Sequence, residues 1–394
     1  MYPNILTTVL TVLLPYTLAL HAPLVQDPRT DPFYHAPTNL PLYPPGIIIR
    51  SRQIAASFIG ITPNPISAYQ LLYRTTAING SAIPAVTTIF KPLLPLHDRF
   101  ISFQTAYDSA CLGTPQTDRH LLQGYIVSSP DHEGPEAALC GGRLAGMVVL
   151  DGMRAVLNFK DELGLVVENP LIVGSGYSGG ALATAWAASL HSSYAPELRV
   201  MGWVAGGTPS NLTATLLKID NTAYSGFIPI AIDGLCKESA YGATMWPVID
   251  SIVTERGRAV LDYANEHCFV ADMLNFVNQS IFSTDVQVLG PTILQHPVIQ
   301  RILEENVLGI NQAERPVVPV FVYHGGEDKV IPFDDAYLMA GRWCESGVDV
   351  TFTEYVGRGH PSTIVLAVGE VGRFIERAFA GTVEPGCWWN AEMR

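Results

Sequence analysis

Residues 171–186 read Leu-Ile-Val-Gly-Ser-Gly-Tyr-Ser-Gly-Gly-Ala-Leu-Ala-Thr-Ala-Trp. An apolar run ends in Gly176-Tyr-Ser178-Gly-Gly180 and passes into small and apolar residues suited to a helix packed close to a sheet. The pattern is GxSxG, and its physical meaning is a strand that turns sharply into a helix. A side chain at either flanking glycine would collide with the neighbouring strand or helix, and the turn strains the backbone at Ser178. The serine hydroxyl then stands above the sheet beside a helix N-terminus, where free N–H groups favour negative charge. The same stretch also contains GxGxxG through Gly174, Gly176 and Gly179. A dinucleotide site should end its second strand on an acid about 20 residues further on. Here Glu197 precedes the next strand, so the nucleophile reading is preferred.

A serine hydroxyl attacks poorly unless a neighbouring base removes its proton. When the nucleophile sits on such a turn, the partners follow in the order acid, then histidine. Downstream, Val317–Tyr323 reads as a strand leading into His324-Gly-Gly-Glu327-Asp328, and Val350–Tyr355 leads into Gly357-Arg-Gly-His360. Asp328, in a loop just after a strand, can reach over the sheet edge to an imidazole, and it is the expected acid. Glu327, Asp334 and Asp335 are the fallbacks. His360, on a glycine-rich loop after what reads as the last strand, is the expected base. His324 is expected to hold backbone.

Further short apolar strands are expected at Phe100–Gln104, Gly124–Ser128 and Val200–Val204, with a hairpin over Ala68–Phe90 turning at Asn79-Gly80. Helix-period stretches such as Arg143–Lys160 and Gly180–Leu190 alternate with them. This alternation implies an α/β sheet with right-handed crossovers. Residues 23–50 are proline-rich and read as a surface arm. Residues 209–312 break the alternation and read as amphipathic helices, an inserted cap. The expected organisation is a first core segment over 23–208, the helical insertion over 209–312 and a second core segment over 313–394. Leu216, Ile219, Phe227, Ile228, Trp246 and Leu274 are among many apolar groups in the insertion. Most are expected to form its own core, and some to face a cleft.

The 394 residues carry a net charge of −13 and contain no basic cluster, which argues against nucleic-acid binding. Only 15% are charged and 48% are apolar, the opposite of a disordered composition. Ile5–Leu20 is apolar and uncharged, too short to span a membrane, and residues 1–22 read as a secretory signal peptide. The six cysteines are an even set without a CxxC pair, favouring disulfides over zinc, and spacing alone does not choose among 15 pairings. Asn79, Asn211 and Asn278 head glycosylation sequons. All of this agrees with an extracellular glycoprotein.

The chain resembles the fungal secretory lipase family over residues 176–212, and again over 68–92, 124–155, 324–332 and the GRGH loop at 357–360. The similarity runs collinearly from about Ala68 to the C-terminus. It implies an α/β-hydrolase fold with a helical lid between the serine and acid segments, in agreement with the independent reading of residues 209–312. It also implies an oxyanion hole made by the backbone N–H groups of Gly179 and Asp108. By the same resemblance Cys344 matches a disulfide with Cys387, and Cys111 one with Cys268, leaving Cys140 and Cys236 over. The resulting expectation is a monomeric, secreted triacylglycerol lipase acting on lipid or other ester substrates, with no transmembrane anchor and no metal or organic cofactor. A small-molecule esterase or deacetylase would share every motif. A catalytically dead binding protein is argued against by the intact Ser178, Asp328 and His360.

Overall fold

A computed structural model describes residues 28, 30–55, 57, 58, 62, 63, 66–106, 120–267 and 269–393. Residues 1–22, Asp108, Cys111 and Cys268 therefore lie outside the described residues. Ten strands form one sheet: β1 (Ile48–Ile54), β2 (Ser67–Thr76), β3 (Ala82–Lys91), β4 (Arg99–Gln104), β5 (Ile126–Pro130), β6 (Leu171–Tyr177), β7 (Val200–Gly206), β8 (Val320–Gly325), β9 (Val350–Tyr355) and β10 (Cys387–Glu392). Their spatial order is β1-β2-β3-β5-β4-β6-β7-β8-β9-β10. The first four in this order are joined by antiparallel pairings, and every pairing from β5 to β10 is parallel.

The central strands are apolar on both faces because helices cover both sides. Along β6 and β7, Ile172 and Trp203 point into one layer, while Val173 and Val204 point into the other. The first layer receives α1 (Gly142–Asn158), α3 (Gly179–Tyr194) and α10 (Phe333–Glu345). The second receives α11 (His360–Ala380), whose Ala367, Val371, Phe374, Ile375 and Ala378 recur at helical spacing and are buried. The short α2 (Lys160–Leu163) closes on Gly164 in the left-handed conformation. Between β7 and β8 come α4 (Leu212–Ile219), α5 (Phe227–Leu235), α6 (Gly242–Ile252), α7 (Glu255–Glu266), α8 (Phe269–Asn275) and α9 (Pro297–Glu305). No described residue between β7 and β8 joins the large sheet. No helix among the described residues is long and apolar enough to cross a membrane.

Two edges differ from the sequence reading. The proline-rich arm is anchored by buried Phe33 and Leu40, and its end forms the edge strand β1. The strand over 350–355 is followed by one more, β10, so it is not the last. Cys387 opens β10 and is joined to Cys344 in the last turn of α10 by a disulfide. Cys236 is a buried thiol, not joined to Cys140, and burial pushes its pKa up to about 12.

Candidate active site

Ser178 sits between β6 and α3 with φ 57° and ψ −124°, a left-handed φ that side chains rarely adopt. The turn is enforced by close packing. A Cβ on Gly176 would come within 2.3 Å of the Gly180 carbonyl oxygen, and one on Gly180 within 2.0 Å of the Gln104 carbonyl oxygen. Only glycine fits at either place, as GxSxG implies. The Ser178 N–H donates to the Gly206 carbonyl at 2.9 Å, fastening the turn to β7.

His360 is the first residue of α11, with Gly359 at the N-cap. Its Nε2 lies 2.9 Å from Ser178 Oγ and its Nδ1 2.5 Å from Oδ2 of Asp328. An ionised carboxylate can only accept, so Nδ1 carries the hydrogen, and Nε2 is left to accept from the serine hydroxyl. Asp328 is 2% exposed, in the loop after β8. Its Oδ1 accepts the backbone N–H groups of Val330 and Ile331 at 2.8 and 2.9 Å. Burial raises the pKa of this carboxyl, but hydrogen bonds from His324 and His360 outweigh it. The group is held well below the usual carboxylate range. Of the fallback acids, Glu327 and Asp334 are exposed, and Asp335 accepts from the Asn211 side chain at 2.8 Å. Asp328 is the acid brought to His360.

Other contacts were not foreseen. Tyr177 donates its hydroxyl to the carbonyl oxygen of His360 at 2.6 Å, and its ring centroid lies 4.9 Å from the imidazole. Gly207, at φ +55°, lets β7 pass beside the imidazole, since a Cβ there would sit 3.0 Å from His360 Cε1. His324 does reach backbone, with Nε2 3.3 Å from the Ile331 carbonyl, but the same atom is also 3.3 Å from Oδ2 of Asp328.

Gly179 begins α3 and lines the same cavity as Ser178. The end of β4, which leads toward residue 108, is held by side chains. Thr184 donates to Gln104 Oε1 at 2.7 Å, and His132 Nε2 donates to the Thr105 carbonyl at 2.8 Å. Burial pushes the His132 pKa down to about 4, so this imidazole is neutral.

From Ser178 an apolar cavity of about 140 Å³ extends into the helices between β7 and β8. Leu216, Ile219, Phe227 and Ile228 line it, and Val330 and Ile331 close it beside the acid loop. Trp246 instead packs within the helical layer under Arg258, and Leu274 is 75% exposed. No group of three or more potential metal ligands occurs among the described residues.

A nucleophile elbow on a mostly parallel sheet, with histidine and acid delivered from later strands, defines an α/β-hydrolase. The family profile described as secretory lipase matches residues 101–385. A secreted triacylglycerol lipase of Malassezia furfur is 36% identical over 97% of this chain and 82% of its own length. One of Malassezia restricta is 34% identical over 90% and 80%. The closed-state crystal structure of Candida antarctica lipase A superimposes with a TM-score of 0.81 at 28% identity, covering 92% of this chain and 88% of that one. The chain belongs to the secretory lipase family and is a carboxylic ester hydrolase.

Proposed function

We propose that the protein is a secreted triacylglycerol lipase that works through an acyl-enzyme on Ser178. His360 takes the serine proton as the hydroxyl attacks the ester carbonyl, and Asp328 fixes the imidazole tautomer and stabilises the cation that forms. The N–H groups of Gly179 and Asp108 receive the developing oxyanion; losing one such donor typically costs about 10²–10³ in rate. His360 then protonates the departing alcohol, and water, activated by the same base, releases the acid.

The observation that carries this reading is the unbroken hydrogen-bond chain from Ser178 Oγ through His360 to Asp328. Residues 209–312 act as a lid whose inner face binds the acyl chain. The apolar lining of the cavity that starts at Ser178 supports this, because a hydrocarbon chain gains about 25 cal/mol per Å² of surface removed from water. The names of the Malassezia relatives support triacylglycerol as substrate and export from the cell.

The test is a p-nitrophenyl ester series from acetate to palmitate, together with a triglyceride emulsion, on the wild type and on Ala231→Trp. Ala231 lines the cavity on α5. Long esters and the emulsion should be hydrolysed by the wild type, and the variant should lose more than about tenfold on palmitate while keeping acetate turnover. Activity confined to acetate in the wild type contradicts the lipase reading.

A further inference from the structure

His324 ends in an unusual environment for a histidine. It is fully buried in β8, its ring packed edge-on against Phe333 at 5.8 Å. Nε2 faces two oxygens, Asp328 Oδ2 and the Ile331 carbonyl, each at 3.3 Å. Neither oxygen can donate, so Nε2 carries the hydrogen and is shared between them. Nδ1 has no hydrogen-bond partner among the described residues. A hydrogen on Nδ1 would be an unpaired buried N–H, which fixes the Nε2–H tautomer. Two imidazoles therefore donate to a single carboxylate oxygen, one of them the base itself.

We propose that His324 is a positioning residue for the hydrolytic reaction, whose Nε2–H keeps Asp328 ionised and aligned on His360 and thereby sets the acid limb of the pH–rate profile. The inference rests on the Ser178–His360–Asp328 reading above. A carboxylate that already accepts from His324 and from two backbone N–H groups is a weaker base. It stabilises the His360 imidazolium that forms in the reaction without taking its proton.

The other ionisable groups around the pair are Tyr177 at the end of β6 and Tyr323 in β8, whose rings stack at 5.7 Å. From β9, Glu354 lies against Gly326, and from α10, Asp335 is engaged by Asn211. Glu327 and Lys329 are exposed on the loop itself. Among the described residues no other side chain donates to Asp328.

The experiment is kcat/KM against pH for p-nitrophenyl butyrate with the wild type, His324→Leu, His324→Gln and Ser178→Ala. Without the donor, Asp328 becomes more basic, the imidazolium is held more tightly and the acid limb moves to higher pH. His324→Leu should move it up by about one pH unit. His324→Gln, with an amide N–H near the Nε2 position, should bring it back toward the wild-type position. His324→Asn, too short to reach Oδ2, carries the same expectation as the leucine variant should that one fail to fold. An acid limb unmoved in both non-donating variants, with only the plateau or the melting temperature lowered, overturns the role of His324. Hydrolysis retained in Ser178→Ala would instead overturn the triad on which it stands.

Discussion

The Ser178 hydroxyl and the His360 imidazole meet at 2.9 Å although 182 positions separate them in the chain. No local interaction makes this contact. It exists because β6 and β8 lie on either side of β7 in parallel register, so that Ser178 and the acid loop emerge at the same end of the sheet. Tyr177, next to the serine, then holds His360 by its own carbonyl oxygen. The sheet thus brings together side chains that lie far apart in the chain.

The backbone at Ser178 stores strain that glycine would release. A non-glycine residue held in a sparsely populated conformation costs about 1–3 kcal/mol, and glycine gives back about 0.5–1 kcal/mol through its freer unfolded chain. Ser178→Gly should therefore unfold at higher denaturant concentration than Ser178→Ala, by a difference near 1 kcal/mol, with both inactive. Equal midpoints in guanidinium chloride would show that the elbow is unstrained.

Two buried groups give opposite pH dependences of stability. Asp272 on α8 has no hydrogen-bond partner on either oxygen among the described residues, and desolvation pushes its pKa up to about 6. In the window from about 4 to 6 the folded chain binds this proton more tightly than the unfolded chain, so stability falls as pH rises. His132 runs the other way. Its pKa is pushed down to about 4 by burial, and stability falls as pH drops from about 6.5 toward 4. Thermal melts from pH 4 to 8 should show Asp272→Asn more stable than the wild type at pH 7 and level with it near pH 4. His132→Gln should flatten the acid side. A constant offset across the whole range would count against both assignments.

The Cys344–Cys387 disulfide closes a span of 43 residues and pins β10 to the end of α10. It lies at the N-terminal ends of β9 and β10, whereas Ser178 lies at the C-terminal end of β6. Replacing both cysteines by serine should lower stability by about 2–4 kcal/mol and leave kcat/KM at 25 °C within about twofold. A large loss of activity at unchanged stability would contradict this separation of roles.

The three sequons are not equivalent. Asn79 and Asn278 are exposed, but Asn211 caps α4, accepting the Ala214 N–H, and donates its amide to Asp335. Glycopeptide mass spectrometry of protein exported by a glycosylating host should find glycan on Asn79 and Asn278 and none on Asn211. Asn211→Ala should cost about 1 kcal/mol of stability as a lost helix cap. Full occupancy at Asn211 would require the cap to open before folding is complete.

The elbow, the acid and the histidine are legible in the chain because each is marked locally, by an apolar strand followed by glycine and a reactive side chain. The bond of Tyr177 to His360 is not, since its partner lies 183 positions away. His324 reads as a residue that holds backbone, and it does reach the Ile331 carbonyl, but its approach to Asp328, four positions on, shows only once the loop after β8 is folded. The edge strands show the same limit. β10 reads Cys-Trp-Trp-Asn-Ala-Glu, with neither a buried run nor alternation, because it is exposed on both faces. β1 is hidden behind prolines. In the helical insertion the apolar residues are plain, but a residue that lines a cavity and one that fills a core carry the same signal. Leu216 and Trp246 are told apart only by packing.

The most direct test of the central claim is labelling with a p-nitrophenyl alkylphosphonate followed by peptide mass spectrometry. The account predicts one phosphonyl group per chain, on Ser178, with p-nitrophenol released stoichiometrically and ester hydrolysis lost in parallel. Ser178→Ala should be neither labelled nor active, its turnover down by more than about 10³-fold with an unchanged circular dichroism spectrum. A label on a different residue, or ester hydrolysis surviving in Ser178→Ala, would contradict it.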